Sequence, residues 1–316
     1  MKKGILILVM LATGLQLFGQ QEHHYTQFMY NKLLINPAYA GARGVPSITG
    51  IYRNQWIGFE GAPTSALLSF NSPFLTPRVG VGLTLSRQEI GLQRDFFANL
   101  AYSYDLVASD MVSLRLGIMG SLRSFSMDFA NAQPDVNGDN SLDVQRTNDF
   151  LGNVGAGIYT TIADQFYIGV SVPRIYSNKL GISTDPTVKP AKEYRHYYAM
   201  AGAILPLSED INLMPALLAK YVENAPFDMD LNINLDIKQK FTAGVSYRLG
   251  GDGPGDSVDL LLFWQALPQV GVGAAYDFTL SNVKDYNSGS VEVMLQFDIK
   301  KVEKERKNLS NPRFFM

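Results

Sequence analysis

The stretch "MDLNINLDIKQKFTAGVSYRL", residues 229–249, decides the fold. In its first half Met229, Leu231, Ile233, Leu235 and Ile237 alternate with Asp230, Asn232, Asn234 and Asp236. Period-two alternation is the signature of a strand with one apolar and one polar face. Phe241, Ala243, Val245, Tyr247 and Leu249 repeat the scheme against Thr242, Gly244, Ser246 and Arg248, and only "KQK" separates the halves. The pair is a predicted hairpin.

Working outward, about fourteen such segments follow one another, beginning near Ile48, Ser65, Val79, Phe96, Val112, Asn153, Phe166, Tyr197, Asn212, Met229, Phe241, Val258, Val270 and Val291. A soluble sandwich would bury the apolar faces, whereas a membrane barrel turns them toward lipid. Loop lengths favour the barrel. The connections after the fourth, sixth, eighth, tenth and twelfth segments are short ("VASD", "TIADQ", "PLSED", "KQK", "LPQ"), while those after the fifth, seventh, eleventh and thirteenth are long. Outer-membrane barrels have short periplasmic turns and longer surface loops. An all-β transmembrane barrel of about 14 antiparallel strands is therefore expected, with both termini periplasmic. Pro215 falls inside the ninth segment, where a closed barrel has no edge to accommodate it, so a bulge is expected there.

The first 19 residues, with Lys2, Lys3, the run "GILILVMLATGLQLF" and small Gly19, read as a secretory signal peptide. The absence of cysteine excludes disulfides, thiolate metal sites, a catalytic thiol and a lipidated N-terminus. Beyond residue 19 there are 25 Lys and Arg against 29 Asp and Glu, since only Lys2 and Lys3 leave the total of 27. A chain near net charge −4 has no basic stripe for nucleic acid. The expected organisation is signal peptide 1–19, N-terminal arm 20–46, barrel 47–299 and a periplasmic tail 300–316.

No catalytic constellation can be assembled. His23, His24 and His196 lack an HExxH-type setting, and GxSxG, Walker and GxGxxG patterns are absent. "GVGLT" and "GVGAA" read as barrel strands with small inward residues, and the "HH" pair as solvated polar sequence. The one metal-like stretch is "QPDVNGDNSLDV". Asp135, Asn137, Asp139 and Asp143 occupy positions 1, 3, 5 and 9 of a calcium loop, but Asn140 stands where Gly is usual and Arg146 where an acidic ligand belongs. It reads as an Asx-rich surface turn or as a departing Ca2+ loop. No other cofactor is expected.

The arm "QFMYNKLLINPAYAGARG", residues 27–44, followed by "YRNQWIGFEGAPTSALLSFNSP", resembles the PorP/SprF family of type IX secretion outer-membrane proteins of the Bacteroidota. "NPAYAG", "RNQW" and "GAP" stand in the family's order, and "RHYY" (195–198) and "NPRFF" (311–315) also look like it. The resemblance implies a non-enzymatic barrel in outer-membrane lipid. It implies as partners the C-terminal domain of a secreted adhesin, of the gliding-motility type, and periplasmic ring proteins or lipoproteins of the system. The residues singled out for partner binding are Phe28, Tyr30, Leu33, Leu34, Asn36, Pro37, Tyr39 and Gly41 in the arm, Arg53, Gln55 and Trp56 beyond it, and Pro312, Phe314 and Phe315 in the tail.

Physical reasoning adds that Asn36-Pro37 should kink the arm and that Gly41 and Gly44 permit left-handed backbone. "FMY" and "LLI" are too apolar for water, so the arm should pack in the lumen or on a partner at the periplasmic mouth. An added strand or a disordered leader remnant is the alternative. Inward Arg53, Arg115, Arg123 and Arg248 mix with Asp230, Asp236, Asp259 and Asp277, unlike the single-sign constriction of a selective porin. Such mixing suits cross-lumen pairing or a polar protein surface docked inside. A general or substrate-specific porin is the competing function.

Overall fold

A computed structural model describes residues 24–109, 111–128, 147–180, 191–223, 225–250 and 255–299. The strands of the first half are β1 (Ser47–Asn54), β2 (Thr64–Phe74), β3 (Thr76–Ile90), β4 (Gln93–Ala108), β5 (Val112–Met127), β6 (Thr147–Ile162) and β7 (Phe166–Val172). Those of the second half are β8 (His196–Ala203), β9 (Ile211–Val222), β10 (Asp228–Ile237), β11 (Phe241–Leu249), β12 (Ser257–Leu267), β13 (Val270–Thr279) and β14 (Ser290–Asp298). Each pairs antiparallel with its sequence neighbour, β7 with β8 and β8 with β9 included. The sheet closes through β1 and β14, in register from Ser47 opposite Asp298 to Asn54 opposite Val291. The result is a closed 14-stranded antiparallel barrel.

The alternation in residues 229–249 becomes the wall of this barrel. Ile233 is 58% exposed on the outer face, while Asn232 and Asn234 are 1% exposed inside. Leu231, Val245, Leu262, Leu295 and Ile118 continue the outer apolar band. In water that face would be a large liability; in a bilayer it is the solvated side.

The turns beginning at residues 75, 109, 163, 204, 238 and 268 all lie at one end, which we term the short-turn end; the other end carries the long connections together with the tight turn at residues 91–92 and the short connection 223–227. β1 begins and β14 ends at the short-turn end, as an even strand number requires. Lys238 and Gln239 adopt positive φ in the three-residue turn between β10 and β11. The bulge expected at Pro215 does not form. Its strand keeps register with β10 throughout, Pro215 opposite Ile233, while pairing toward β8 lapses after Ala216 opposite Gly202 and resumes at Leu213 opposite Leu205. The missing N–H removes rungs from the ladder and inserts no residue.

Candidate functional site: the lumen and its arm

The lumen is filled by the arm. His24 approaches Lys220 and Asp228, which flank the connection between β9 and β10 at the long-loop end. Nineteen residues later Arg43 pairs with Asp298, the last residue of β14, at 2.8 Å at the short-turn end. The arm therefore traverses the barrel, and the described N-terminal end, at His24, lies at the mouth opposite the end of β14, not on the same side as the expectation of two periplasmic termini required. Of the two surroundings anticipated for its apolar residues, the lumen is the one observed.

Three short 3-10 turns, Phe28–Tyr30, Lys32–Leu34 and Pro37–Tyr39, give the arm its course. The last is capped as its sequence dictates: the Asn36 side chain accepts a hydrogen bond from the Ala38 amide at 2.9 Å, and Pro37 fills the first helical position, where no N–H is needed. The Asn36 amide also donates to the Ile158 carbonyl of β6 at 2.9 Å. Gly41 and Gly44 take φ of 70° and 74°, turning the chain toward β1.

The wall is shaped to receive this backbone. A Cβ added at Gly80 of β3 would lie within 3.0 Å of the Ala40 carbonyl, and one at Gly117 of β5 within 3.0 Å of Ala38 and Pro37 backbone atoms. Gly157 of β6 similarly faces the Asn36 side chain, Gly82 the Leu33 side chain and Gly273 the Gln27 side chain. Phe28, Tyr30, Leu33, Asn36, Pro37, Tyr39 and Gly41 are all buried, and Leu34 is partly so. Tyr30 stacks on Phe263 of β12 with ring centroids 4.6 Å apart, and Tyr39 meets Tyr159 of β6 edge-on at 5.3 Å. Lys32, fully buried, donates to the Met29 carbonyl at 2.9 Å and sits 4.4 Å above the Tyr167 ring. As seated, the arm residues singled out for partner binding touch the barrel's own wall.

Charge is paired mainly between neighbouring strands. Arg53 of β1 reaches Asp277 of β13 at 2.6 Å and Glu292 of β14 at 3.3 Å. The arm completes this cluster, since the backbone amides of Thr26 and Gln27 donate to the Glu292 carboxylate at 2.9 and 3.0 Å, and the Thr26 hydroxyl bonds Asp277. Arg248 pairs with Asp230 at 2.7 Å, Arg123 with Asp95 at 2.7 Å, and Arg115 lies 3.6 Å from Asp105. The protein surface docked inside is the chain's own.

Gln55 and Trp56 stand apart from Arg53, at the long-loop rim. Gln55 donates from its backbone N–H to the Pro63 carbonyl at 2.9 Å, and Trp56, with φ of 52°, packs edge-on against Phe59. Pro312, Phe314, Phe315, and the stretch holding Asp135, Asn137, Asp139 and Asp143, lie outside the described residues, as do the segments expected to be signal peptide and tail.

Sequence reasoning missed one grouping. His24, read as solvated, instead joins Asp228 and Asp230 in a cluster with metal-like spacing. Lys220 already supplies the cation: its Nζ lies 2.6 Å from Asp230, 3.5 Å from Asp228 and 2.8 Å from His24 Nδ1. A metal ion would have to displace that ammonium, so the cluster reads as an ion-pair network.

The family model described as type IX secretion system membrane protein PorP/SprF matches residues 17–297. The chain belongs to the PorP/SprF family. No curated protein matches by sequence. Among solved structures, the Ralstonia pickettii toluene transporter TbuX superposes with a TM-score of 0.50 at 9% identity, covering 84% of this chain and 92% of that one. A Pseudomonas aeruginosa FadL homologue gives a TM-score of 0.46 at 13% identity, with 90% and 96% covered. The Acinetobacter baumannii outer membrane protein Omp33 gives 0.48 at 7% identity, with 81% and 98% covered. At such identities the likeness is one of fold. This PorP/SprF member is thus an outer-membrane β-barrel of the type IX secretion family.

Proposed function

We propose that this PorP/SprF barrel is a non-enzymatic outer-membrane component of type IX secretion that holds the C-terminal domain of a secreted surface adhesin, of the gliding-motility type, and links it to periplasmic ring proteins or lipoproteins. Membership of the family supports the secretion role. The observation that favours holding over conduction is the seated arm, which occupies the lumen from the long-loop end to the short-turn end. A general porin needs that space for solute. With the lumen taken, the adhesin's place is on the rims, where Gln55 and Trp56 lie at the long-loop end. In this reading the short turns and the chain's tail face the periplasm, as short turns do in outer-membrane barrels.

Deleting the gene and comparing surface and culture-fluid proteomes tests the reading. One or a few large adhesins should leave the surface while nutrient uptake is unchanged. Unchanged adhesin display with an uptake defect would hand the case to the porin.

A further inference from the structure

The charges in the long-loop half of the lumen do not balance. Lys220, Asp230, Arg248, Asp277, Arg53 and Glu292 form one chain of pairs, with Asp228 beside Lys220 and Asp259 beside Arg248. Three cations there face five carboxylates, which leaves two negative charges. His24 adds no positive charge, because its Nδ1 lies 2.8 Å from the Lys220 ammonium and accepts from it. Elsewhere the salt-bridged groups of the described lumen match in number: Arg43 with Asp298, Arg115 with Asp105, and Arg123 and Arg174 with Asp95 and Glu193.

The surplus centres on Asp259 of β12, which is 0% exposed and whose two carboxylate oxygens both lack a hydrogen-bond partner among the described residues. Its neighbours are committed elsewhere. Arg248 spends Nε on Asp230 at 2.7 Å and stays 3.9 Å from Asp259, beyond hydrogen-bond distance. Ser246, directly opposite on β11, donates to the Leu231 carbonyl at 3.3 Å. Asp277, directly opposite on β13, is held by Arg53 at 2.6 Å and by the Thr26 hydroxyl at 2.9 Å, and as a like charge it repels Asp259. Ser257, two residues before Asp259 on the same inward face, is 4% exposed, and its Oγ also lacks a partner. Orphaned oxygens and surplus charge thus coincide at one place, and a buried charge without compensation is costly. A water molecule would remove neither charge and a proton only one. A divalent cation removes both and makes ligands of the orphaned oxygens.

We infer that this corner of the lumen binds a hard divalent cation of the calcium type, ligated by Asp259 and Ser257, with the Asp277 carboxylate alongside and water completing the shell. Carboxylate and hydroxyl oxygens are hard donors, and calcium tolerates irregular oxygen shells where magnesium demands an octahedron. Ser257 is the first residue of β12, at the long-loop end, so the ion approaches from that mouth. Asp277 and Glu292 of the same network receive Thr26 and Gln27, so the ion neutralises the wall on which the outer end of the arm is seated. The site is separate from the stretch 135–143, and the inference does not depend on which protein the barrel holds.

The test turns on a reversal of sign. The full-length chain in detergent micelles, stripped with EDTA, would be compared with its Asp259→Asn and Ser257→Ala variants, all three carrying Asp139→Asn so that the stretch 135–143 contributes no calcium loop. Thermal unfolding is read as the loss of heat-modifiable migration. In chelator, Asp259→Asn should unfold at a higher temperature than the parent, because it removes an uncompensated charge. Millimolar calcium should raise the parent's midpoint by about 5 °C, leave Asp259→Asn unmoved and so reverse their order. Ser257→Ala, with every charge intact, should need more calcium for half the effect. A calcium shift as large in Asp259→Asn as in the parent, an equal shift with potassium chloride at matched ionic strength, or Ser257→Ala responding at the parent's calcium concentration would overturn the inference.

Discussion

Two glycines on β5 give the sharpest test of the seated arm. Gly117 points inward, and a Cβ there would fall within 3.0 Å of Ala38 and Pro37 backbone atoms, which have no rotamer to yield with. Gly120, three residues on, points outward with nothing within 4 Å. Overpacking usually costs about 1–3 kcal/mol, and an obstacle made of backbone places Gly117→Ala near 3 kcal/mol. Gly120→Ala should instead gain about 0.5–1 kcal/mol, because glycine in a strand interior carries an entropic penalty of that size. The expected gap between two identical substitutions on one strand is about 3–4 kcal/mol. Urea unfolding from lipid vesicles, followed by the fluorescence of Trp56 and Trp264, would measure it. Repeating both substitutions in a barrel lacking residues 24–44 completes a double-mutant cycle. There the cost at Gly117 should vanish. Equal effects at the two positions, or a Gly117 penalty that persists without the arm, would refute the placement of the arm against β5.

Ile233→Arg should cost about 2–4 kcal/mol and slow membrane assembly, whereas Ile233→Leu should not, as read by the same unfolding assay, because a charge at a mid-bilayer lipid-facing site is poorly solvated. Glu292→Ala should destabilise by about 3–5 kcal/mol by leaving Arg53 buried with one carboxylate fewer; disrupting the exposed pair Arg87 and Glu89 with Glu89→Ala should cost no more than about 1 kcal/mol. A tag inserted at Gly138 should be labelled on intact cells and one within 238–240 should not; the reverse pattern would invert the topology.

The wall was legible because a strand with different environments on its two faces must alternate, and residues 229–237 and 241–249 do so. The arm's need for burial was legible from "FMY" and "LLI", and its kink from Asn36-Pro37. Its destination was hidden. The inward glycines of "GVGLT" were visible as small residues, but a gap in a wall does not say what fills it until the strands are assembled around it. Arg53 shows the same limit. Its partners Asp277 and Glu292 lie more than 220 residues away, so the sequence displayed mixed inward charge without revealing that barrel closure brings these carboxylates to Arg53 and that the arm's amides hydrogen-bond them. At Pro215, geometry offered two ways to accommodate a missing donor, and the barrel took the simpler one.

The course of the arm also constrains the order of events during assembly. Its path joins β1 at the short-turn end while its other end lies among loops at the opposite mouth. Rings at Phe28, Tyr30 and Tyr39, all buried in the lumen, would have to pass through a bore already lined with side chains if the cylinder closed first. Closing β1 against β14 around an arm already in place avoids that passage. The last strand carries the residues suited to sensing it: Glu292, Gln296 and Asp298 on β14 bind Thr26 and Gln27, Tyr30 and Arg43 respectively. The strand that zips the cylinder shut therefore meets most of its lumenal partners only when the arm is there to offer them, so the seam would report on the filling of the bore before insertion is complete.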